Sequence, residues 1–246
     1  MLRRALLLLL LPLSVQAQDL TVSAAASLAD AFKALTPGFE AAHPGAKLRF
    51  NFAASGQLLQ QIAQGAPVDV FASADEATMD RAAEQKLIDP ATRKPFTRNE
   101  LVLVTPPGSE LGTLYDLHQP AVKRIAVGKP ATVPVGRYTQ QALESVRMWQ
   151  ALQPKLVPAD NVRQVLDYVA RGEVEAGFVY RSDAQVAQGK LRVAMTVGGH
   201  APVRYPVAVV ADSRQAPLAR AFVDYLLCAP AQALLPAWFW GRVSDG

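Results

Sequence analysis

The chain has 246 residues, half of them hydrophobic, with a formal net charge of +4 and a single cysteine, Cys228. One thiol excludes an intramolecular disulfide framework and a cysteine-cluster metal site. Lys and Arg are interspersed with Asp and Glu, so no basic stripe marks a nucleic-acid partner.

The first seventeen residues read as a secretory signal. Arg3 and Arg4 supply the positive start, Ala5 to Leu13 the apolar stretch, and Val15-Gln-Ala17 the small-residue cleavage site, with Gln18 as the mature N-terminus. The residue at the cleavage site is Ala rather than Cys, so a lipid anchor is not expected. No later apolar run approaches membrane length. The remaining chain is long for one compact α/β domain and natural for two intertwined ones.

Strands and helices alternate along it. Leu20–Ala26 reads as a strand and Leu28–Ala42 as a helix, with Leu28, Phe32, Leu35 and Phe39 on one face. Ser27 and Asp30 have capping-box spacing. Lys47–Ala53 is the second strand, Gln57–Gln64 the second helix and Val68–Ala72 a third strand, apolar on both faces as a parallel sheet requires. Asp75 stands where it can cap a helix running to about Lys86. Glu100–Thr105 and Arg124–Val127 are strands, and Tyr138–Trp149 a helix. Asp160 or Asn161 caps a helix whose inward face is Val162, Val165, Leu166 and Val169. Ala176–Val179 is a strand, Ser182–Gln188 a short helix, and Leu191–Met195 and Tyr205–Ala211 are strands. Two helices close the chain, near Pro217–Leu227 and Pro230–Trp238. This alternation means open, largely parallel sheets with helices on both faces.

Ser27 and Ser55 both stand where an extended apolar run turns into an amphipathic helix, with no charge beside either. A serine there, read as an N-cap, offers a hydroxyl next to helix N–H groups that have no intrahelical partner and the positive end of a helix dipole. Two such corners facing each other form a cage for a small anion. Ser27, Ser55, the loop 130–136 and Tyr180 all follow strands or begin helices. In open α/β sheets that is where ligands bind, so they are expected to form one composite site.

Seven segments carry a family resemblance. They are Ala24-Ala-Ala-Ser-Leu28, Phe52-Ala-Ala-Ser55, Gly65-Ala-Pro-Val-Asp-Val-Phe-Ala-Ser-Ala-Asp75, Ile125 through Gly136, Asn161-Val-Arg163, Phe178-Val-Tyr-Arg-Ser-Asp-Ala184 and Tyr205-Pro-Val-Ala-Val209. In order and over the whole mature chain, they resemble the periplasmic molybdate-binding proteins of ABC-type uptake systems. The resemblance implies the type II periplasmic-binding-protein fold, with two lobes of mostly parallel sheets flanked by helices and two crossover strands as the hinge. Lobe one would hold 19–99 and 206–246, and lobe two 100–205. It further implies a periplasmic monomer that binds molybdate or tungstate, uses no cofactor, catalyses nothing and hands its cargo to the permease subunits of an ABC transporter. The ligand donors it implies are the hydroxyls of Ser27, Ser55 and Tyr180 and backbone N–H groups of Val135 and Val162, with no side chain coordinating metal. Position 135 is often Ala in the family, so Val135 departs from the pattern.

These residue types suit that ligand. Molybdate is a fully deprotonated tetrahedral dianion at neutral pH, so its oxygens only accept hydrogen bonds. Ser, Tyr and backbone N–H groups donate, and the implied set has no carboxylate. Phosphate keeps a proton near neutral pH, for which a carboxylate acceptor would be favoured. Sulfate differs by its shorter bonds.

Other polar residues have plainer readings. Asp69 reads as a turn former and Asp75 as a cap rather than as an acid–base pair. His43, His118 and His200 lack metal-ligand spacing. Arg137 and Arg181 flank the site residues, where they either steer an anion by their field or are ordinary solvated surface. Trp238, Phe239 and Trp240 read as packing, and Cys228 as a buried thiol in a helical pattern. Three rival classes stand beside the main one. A secreted serine hydrolase lacks a Gly-x-Ser-x-Gly elbow and a histidine near either serine. A same-fold carrier of another oxyanion or small organic acid is separable by ligand competition. A sensor domain of a regulator is opposed by the signal segment.

Overall fold

The computed structural model describes residues 18–239. The signal segment and Trp240 lie outside the described residues. The first sheet begins with β1 (Gln18–Ala25), β2 (Ala46–Ala53), β3 (Val70–Ala72) and β4 (Lys94–Asn99). The chain then crosses through Glu100 into β5 (Leu101–Thr105) and builds a second sheet with β6 (Ile125–Gly128), β7 (Leu156–Ala159), β8 (Ala176–Tyr180) and β9 (Arg192–Thr196). β10 (Val203–Val209) returns it to the first sheet. The strand orders are β2-β1-β3-β10-β4 and β7-β6-β8-β5-β9.

β1 pairs in parallel with β2 and β3, and β6 with β7 and β8. β10 runs antiparallel to β3 and β4, and β5 antiparallel to β8 and β9. Each sheet therefore has one reversed strand, and in both it is the strand by which the chain crosses between the sheets. The expected two-lobe, mostly parallel architecture with crossing strands is what the chain adopts.

Helices cover the faces: α1 (Ala29–Ala42), α2 (Ser55–Ala63), α3 (Glu76–Glu84), α4 (Pro134–Ser145), α5 (Trp149–Leu152), α6 (Val162–Ala170), α7 (Arg181–Val186), α8 (Ala216–Leu227) and α9 (Ala229–Leu234). The apolar face read for α6 is buried at all four positions. Phe32 and Phe39 of α1 meet Phe222 of α8 edge-on at 5.8 and 5.1 Å, a geometry aromatic rings favour over a flat stack. Leu58, Leu59, Ile62, Phe71 and Met79 form a smaller core between α2, α3 and β3.

Some elements depart from the sequence reading. β4 and β7 were not expected as strands. Both are edge strands and contain a proline, Pro95 and Pro158. An edge position tolerates the missing N–H, but the proline weakens the strand pattern in sequence. α4 begins at Pro134 rather than near Tyr138, because proline at the first helical position is already set for helix. Cys228 is half-buried rather than the buried thiol expected, and it stands between α8 and α9.

Candidate functional site

The C-terminal end of β1 leads through a short 3-10 turn, Ala26–Leu28, directly into α1. Ser27 lies inside that turn. Ser55 is the first residue of α2, behind Ala54. Neither serine is the N-cap that the sequence suggested, and neither side chain makes a capping bond. The turn before α1 is already helical in backbone at Leu28, so no extended cap residue exists there. The capping box is also absent: Asp30 instead pairs with Arg163 at 2.8 Å. The true caps are Asp75, accepting from the Thr78 N–H at 3.1 Å, and Asn161, accepting from the Gln164 N–H at 3.0 Å.

The serine hydroxyls are tied elsewhere. Ser55 Oγ accepts from the Ala74 N–H at 3.0 Å. Ser27 Oγ lies 3.0 Å from the Tyr205 hydroxyl. Both serines line a cavity between the lobes together with Val135, Asn161, Val162 and Tyr180. Ala25, Ala26, Ala53, Ala54 and Ala74 complete the first-lobe wall, and side chains this small leave backbone N–H groups within reach. All five residues singled out in sequence thus face one space. Its room for the centre of a water-sized sphere is about 10 Å³, far below the roughly 300–1,000 Å³ of sites for organic ligands.

Among the described residues, the cavity has no Lys, Arg, His, Asp or Glu in its lining. Helix starts border it instead: α2 begins at Ser55, α4 at Pro134 beside Val135, and α6 at Val162, and a helix start carries the positive end of the helix dipole. Tyr180 ends β8 and is almost fully buried, and its hydroxyl has no hydrogen-bond partner among the described residues. Burial, with Tyr205 beside it, pushes its phenol pKa well above the ordinary value. It therefore stays protonated, a donor with nothing to donate to.

The lobes are closed around this space. The Gly56 N–H donates to the Thr132 carbonyl across the cleft at 3.0 Å. A Cβ at Gly56 would lie 2.6 Å from that oxygen, so only glycine permits the approach. Gly136 plays a similar part within the second lobe, where a Cβ would lie 2.0 Å from the Gly128 oxygen and lift α4 off the end of β6. Arg137 Nε and Nη2 sit 2.7 and 2.6 Å from Asp75 Oδ2, and Nη2 also donates to Thr78 Oγ1 at 2.6 Å. Arg163 joins Asp30 to the fully buried Asp183, whose nearest oxygen is 2.7 Å away.

Arg137 is therefore an inter-lobe tie rather than solvated surface, and Arg181 pairs with Glu100. Asp69 accepts from the Thr21 N–H and the Ser213 hydroxyl. No metal-ligand cluster occurs among the described residues. Phe239 packs edge-on against Tyr205 at 5.4 Å. Sequence reasoning missed Asn99 and Tyr205 as neighbours of the site; no local pattern links residues so far apart.

Two lobes on crossing strands, closed over a small donor-lined cavity, define a solute-binding protein. The chain belongs to the bacterial extracellular solute-binding proteins, whose family model matches residues 20–240. It is 40% identical to the molybdate-binding protein ModA of Escherichia coli over 84% of this chain and 82% of that one. A solved substrate-binding domain of a putative molybdenum ABC transporter from Clostridium difficile is 36% identical, with TM-score 0.70, covering 92% of this chain and 99% of that one. The sulfate-binding protein SubI of Mycobacterium tuberculosis superposes with TM-score 0.79 at 19% identity, covering 92% of this chain and 88% of that one. The fold is thus shared with a sulfate carrier, and the choice of anion rests on the cavity.

Proposed function

We propose that this chain binds molybdate, and tungstate with it, outside the cytoplasm and delivers it as a monomer to the permease subunits of an inner-membrane ABC transporter. The donors are the hydroxyls of Ser27, Ser55 and Tyr180 and the backbone N–H groups of Val135 and Val162. Residues 19–99 and 206–246 act as one lobe and 100–205 as the other, after a signal segment is cleaved behind Ala17. The protein uses no cofactor and catalyses no reaction. The identity to ModA relatives supports the cargo.

One observation carries the reading: a small cavity, with no charged side chain in its lining among the described residues, into which the buried Tyr180 hydroxyl opens beside helix starts with no partner among those residues. Such a site stabilises an anion that only accepts. A protonated anion would leave its own O–H without an acceptor, at a cost of about 1–3 kcal/mol. Five donors at roughly 1.5–3 kcal/mol each, less an association cost of about 4 kcal/mol or more, bring micromolar binding, about 8 kcal/mol, within reach.

Parallel calorimetric titrations with molybdate, tungstate, sulfate and phosphate test this. Tight binding of the first two and negligible binding of the others is expected. Sulfate within about tenfold of molybdate (~1.4 kcal/mol) would overturn the size argument. Absence of binding to both molybdate and tungstate would overturn the cargo.

A further inference from the structure

A serine hydroxyl can face an anion with its hydrogen or with its lone pairs, and only the first binds. Whichever neighbour takes the other half of the hydroxyl decides. For Ser55 the neighbour is the Ala74 N–H, which can only donate, so the Ser55 hydrogen is left for the cavity. For Ser27 the neighbour is the Tyr205 hydroxyl, which is able to do either.

Asn99 removes the ambiguity. It is the last residue of β4, at the first crossing, and its Oδ1 accepts from the Glu100 N–H at 2.9 Å. A backbone N–H can be met only by the oxygen end of the amide, so the NH₂ end is fixed in the opposite direction. That end donates to Ser182 Oγ at 2.8 Å and to the Tyr205 oxygen at 3.1 Å. Asn99, Tyr205 and Ser182 are all buried. The Tyr205 oxygen thus already accepts, and its hydrogen has Ser27 Oγ within reach. Burial holds the Tyr205 phenol pKa well above the ordinary value, so that hydrogen stays in place.

We propose that Asn99 and Tyr205 are positioning residues for the anion site: a directed chain, Asn99 to Tyr205 to Ser27, turns the Ser27 hydrogen into the cavity. The chain uses the two crossing segments, β4 to β5 and β10, so the direction of a ligand donor is set at the hinge. It also sharpens selectivity, because Ser27 then presents its hydrogen to the anion, which favours one that only accepts over a protonated one such as hydrogen phosphate. This rests on the proposed cargo only for its binding readout.

Two substitutions separate direction from packing. Tyr205→Phe keeps the ring and its contacts and removes the donor to Ser27. Asn99→Asp keeps the shape but puts an accepting oxygen where the NH₂ was. Tyr205 then gives its hydrogen to the new carboxylate, and Ser27 must donate to Tyr205 and turn lone pairs toward the anion. In molybdate titrations Tyr205→Phe should weaken binding by about tenfold, and Ser27→Ala by on the order of 10- to 100-fold. Tyr205→Phe should cost nothing further when added to Ser27→Ala, since it acts through that hydroxyl. Asn99→Asp should bind more weakly than Ser27→Ala, and adding Ser27→Ala to it should restore part of the affinity.

A merely structural role gives none of this: the losses would add, and truncating Ser27 would never improve binding. Additive losses, or parent affinity in Asn99→Asp, would overturn the chain. A ligand-free measurement is independent of the cargo. The buried Tyr205 hydroxyl proton should show NMR cross-peaks to the Ser27 β-protons in the parent and lose them in Asn99→Asp. Cross-peaks from that proton to the Asn99 side chain instead of Ser27 would overturn it. A parent that fails to bind molybdate but keeps the Ser27 cross-peaks would refute the cargo and leave the chain standing.

Discussion

Asp75 meets Arg137 across the cleft, with Oδ2 2.6 Å from Nη2, while its other oxygen caps α3 through the Thr78 N–H. One carboxylate thus both starts a helix in the first lobe and holds the second lobe to it. Asp75 is nearly fully buried and Arg137 is largely so. Removing one partner of such a pair leaves the other uncompensated, which is costlier than losing an exposed pair.

Arg137→Met should therefore favour opening. Asp75 can regain water only if the lobes part. Molybdate should bind roughly tenfold more weakly, mainly through faster release, because the tie acts on the closed state. Solution scattering of the ligand-free variant should give a larger radius of gyration than the parent. Unchanged scattering and unchanged release would mean that the pair contributes nothing to closure.

Tyr180→Phe should move binding and stability in opposite directions. The phenol oxygen is buried without a partner among the described residues, and such a group costs about 1–3 kcal/mol. Deleting it should raise the stability of the ligand-free protein by about 1–3 kcal/mol, and its melting temperature with it. Molybdate binding should fall by roughly 1.5–3 kcal/mol, the range for a hydrogen bond to a charged group. The loss should be equal for tungstate, since the donor meets oxygen and not metal. Parent-like affinity would make Tyr180 a packing residue.

Asp183 should give stability a pH dependence. Burial raises its pKa to about 6 from the ordinary 3.8, against the opposing pull of Arg163. A raised folded-state value means that the fold takes up the proton first. This group's contribution is fully present below about 3.8 and is lost as pH rises through about 6. Lowering the pH from 7 to 5 should thus stabilise the parent relative to Asp183→Asn, which has no proton to gain. Melting both proteins at the two pH values checks this; a constant difference between them would remove the linkage.

The sequence made legible what is local or periodic. The i, i+3, i+4, i+7 pattern from Val162 marked the buried face of α6, and Asp75 was readable as a cap from its place before an apolar helix, while the cap of α6 was narrowed to Asp160 or Asn161, of which Asn161 makes the bond. Ser27, Ser55, the loop 130–136 and Tyr180 were legible because each stands at a strand end or helix start, where topology brings positions together, whereas Val135 and Val162 were singled out only by the family resemblance. The serines were misassigned as caps because a hydroxyl at a helix start has that role by default. The residue that redirects it can be distant: Tyr205 is 178 positions from Ser27. Arg137 and Asp75 are 62 apart on different lobes, so Arg137 read either as a source of steering field or as solvated surface. β4 and β7 were hidden by Pro95 and Pro158, which weaken the strand pattern in sequence and which their edge positions tolerate.

Gly56→Ala offers the sharpest separation of closure from folding. Gly56 lies in the first turn of α2, in a helical backbone, and alanine is the better helix former by about 1 kcal/mol. Within the first lobe the change should be neutral or stabilising. Across the cleft the new methyl would stand 2.6 Å from the Thr132 oxygen and 2.8 Å from its Cα. Those are backbone atoms, which cannot swing aside as a side chain can. The lobes must then stop short of closure, and the Gly56-to-Thr132 hydrogen bond is lost with them. Donors from Val135, Val162 and Tyr180 would no longer converge with those of Ser27 and Ser55. Molybdate affinity should drop by on the order of 100-fold, as for loss of one or two charge-assisted bonds, while the ligand-free melting temperature holds or rises. Scattering with saturating molybdate should show a less compact particle than the parent. If Gly56→Ala binds molybdate like the parent, the cleft closes without this contact and the glycine serves only α2.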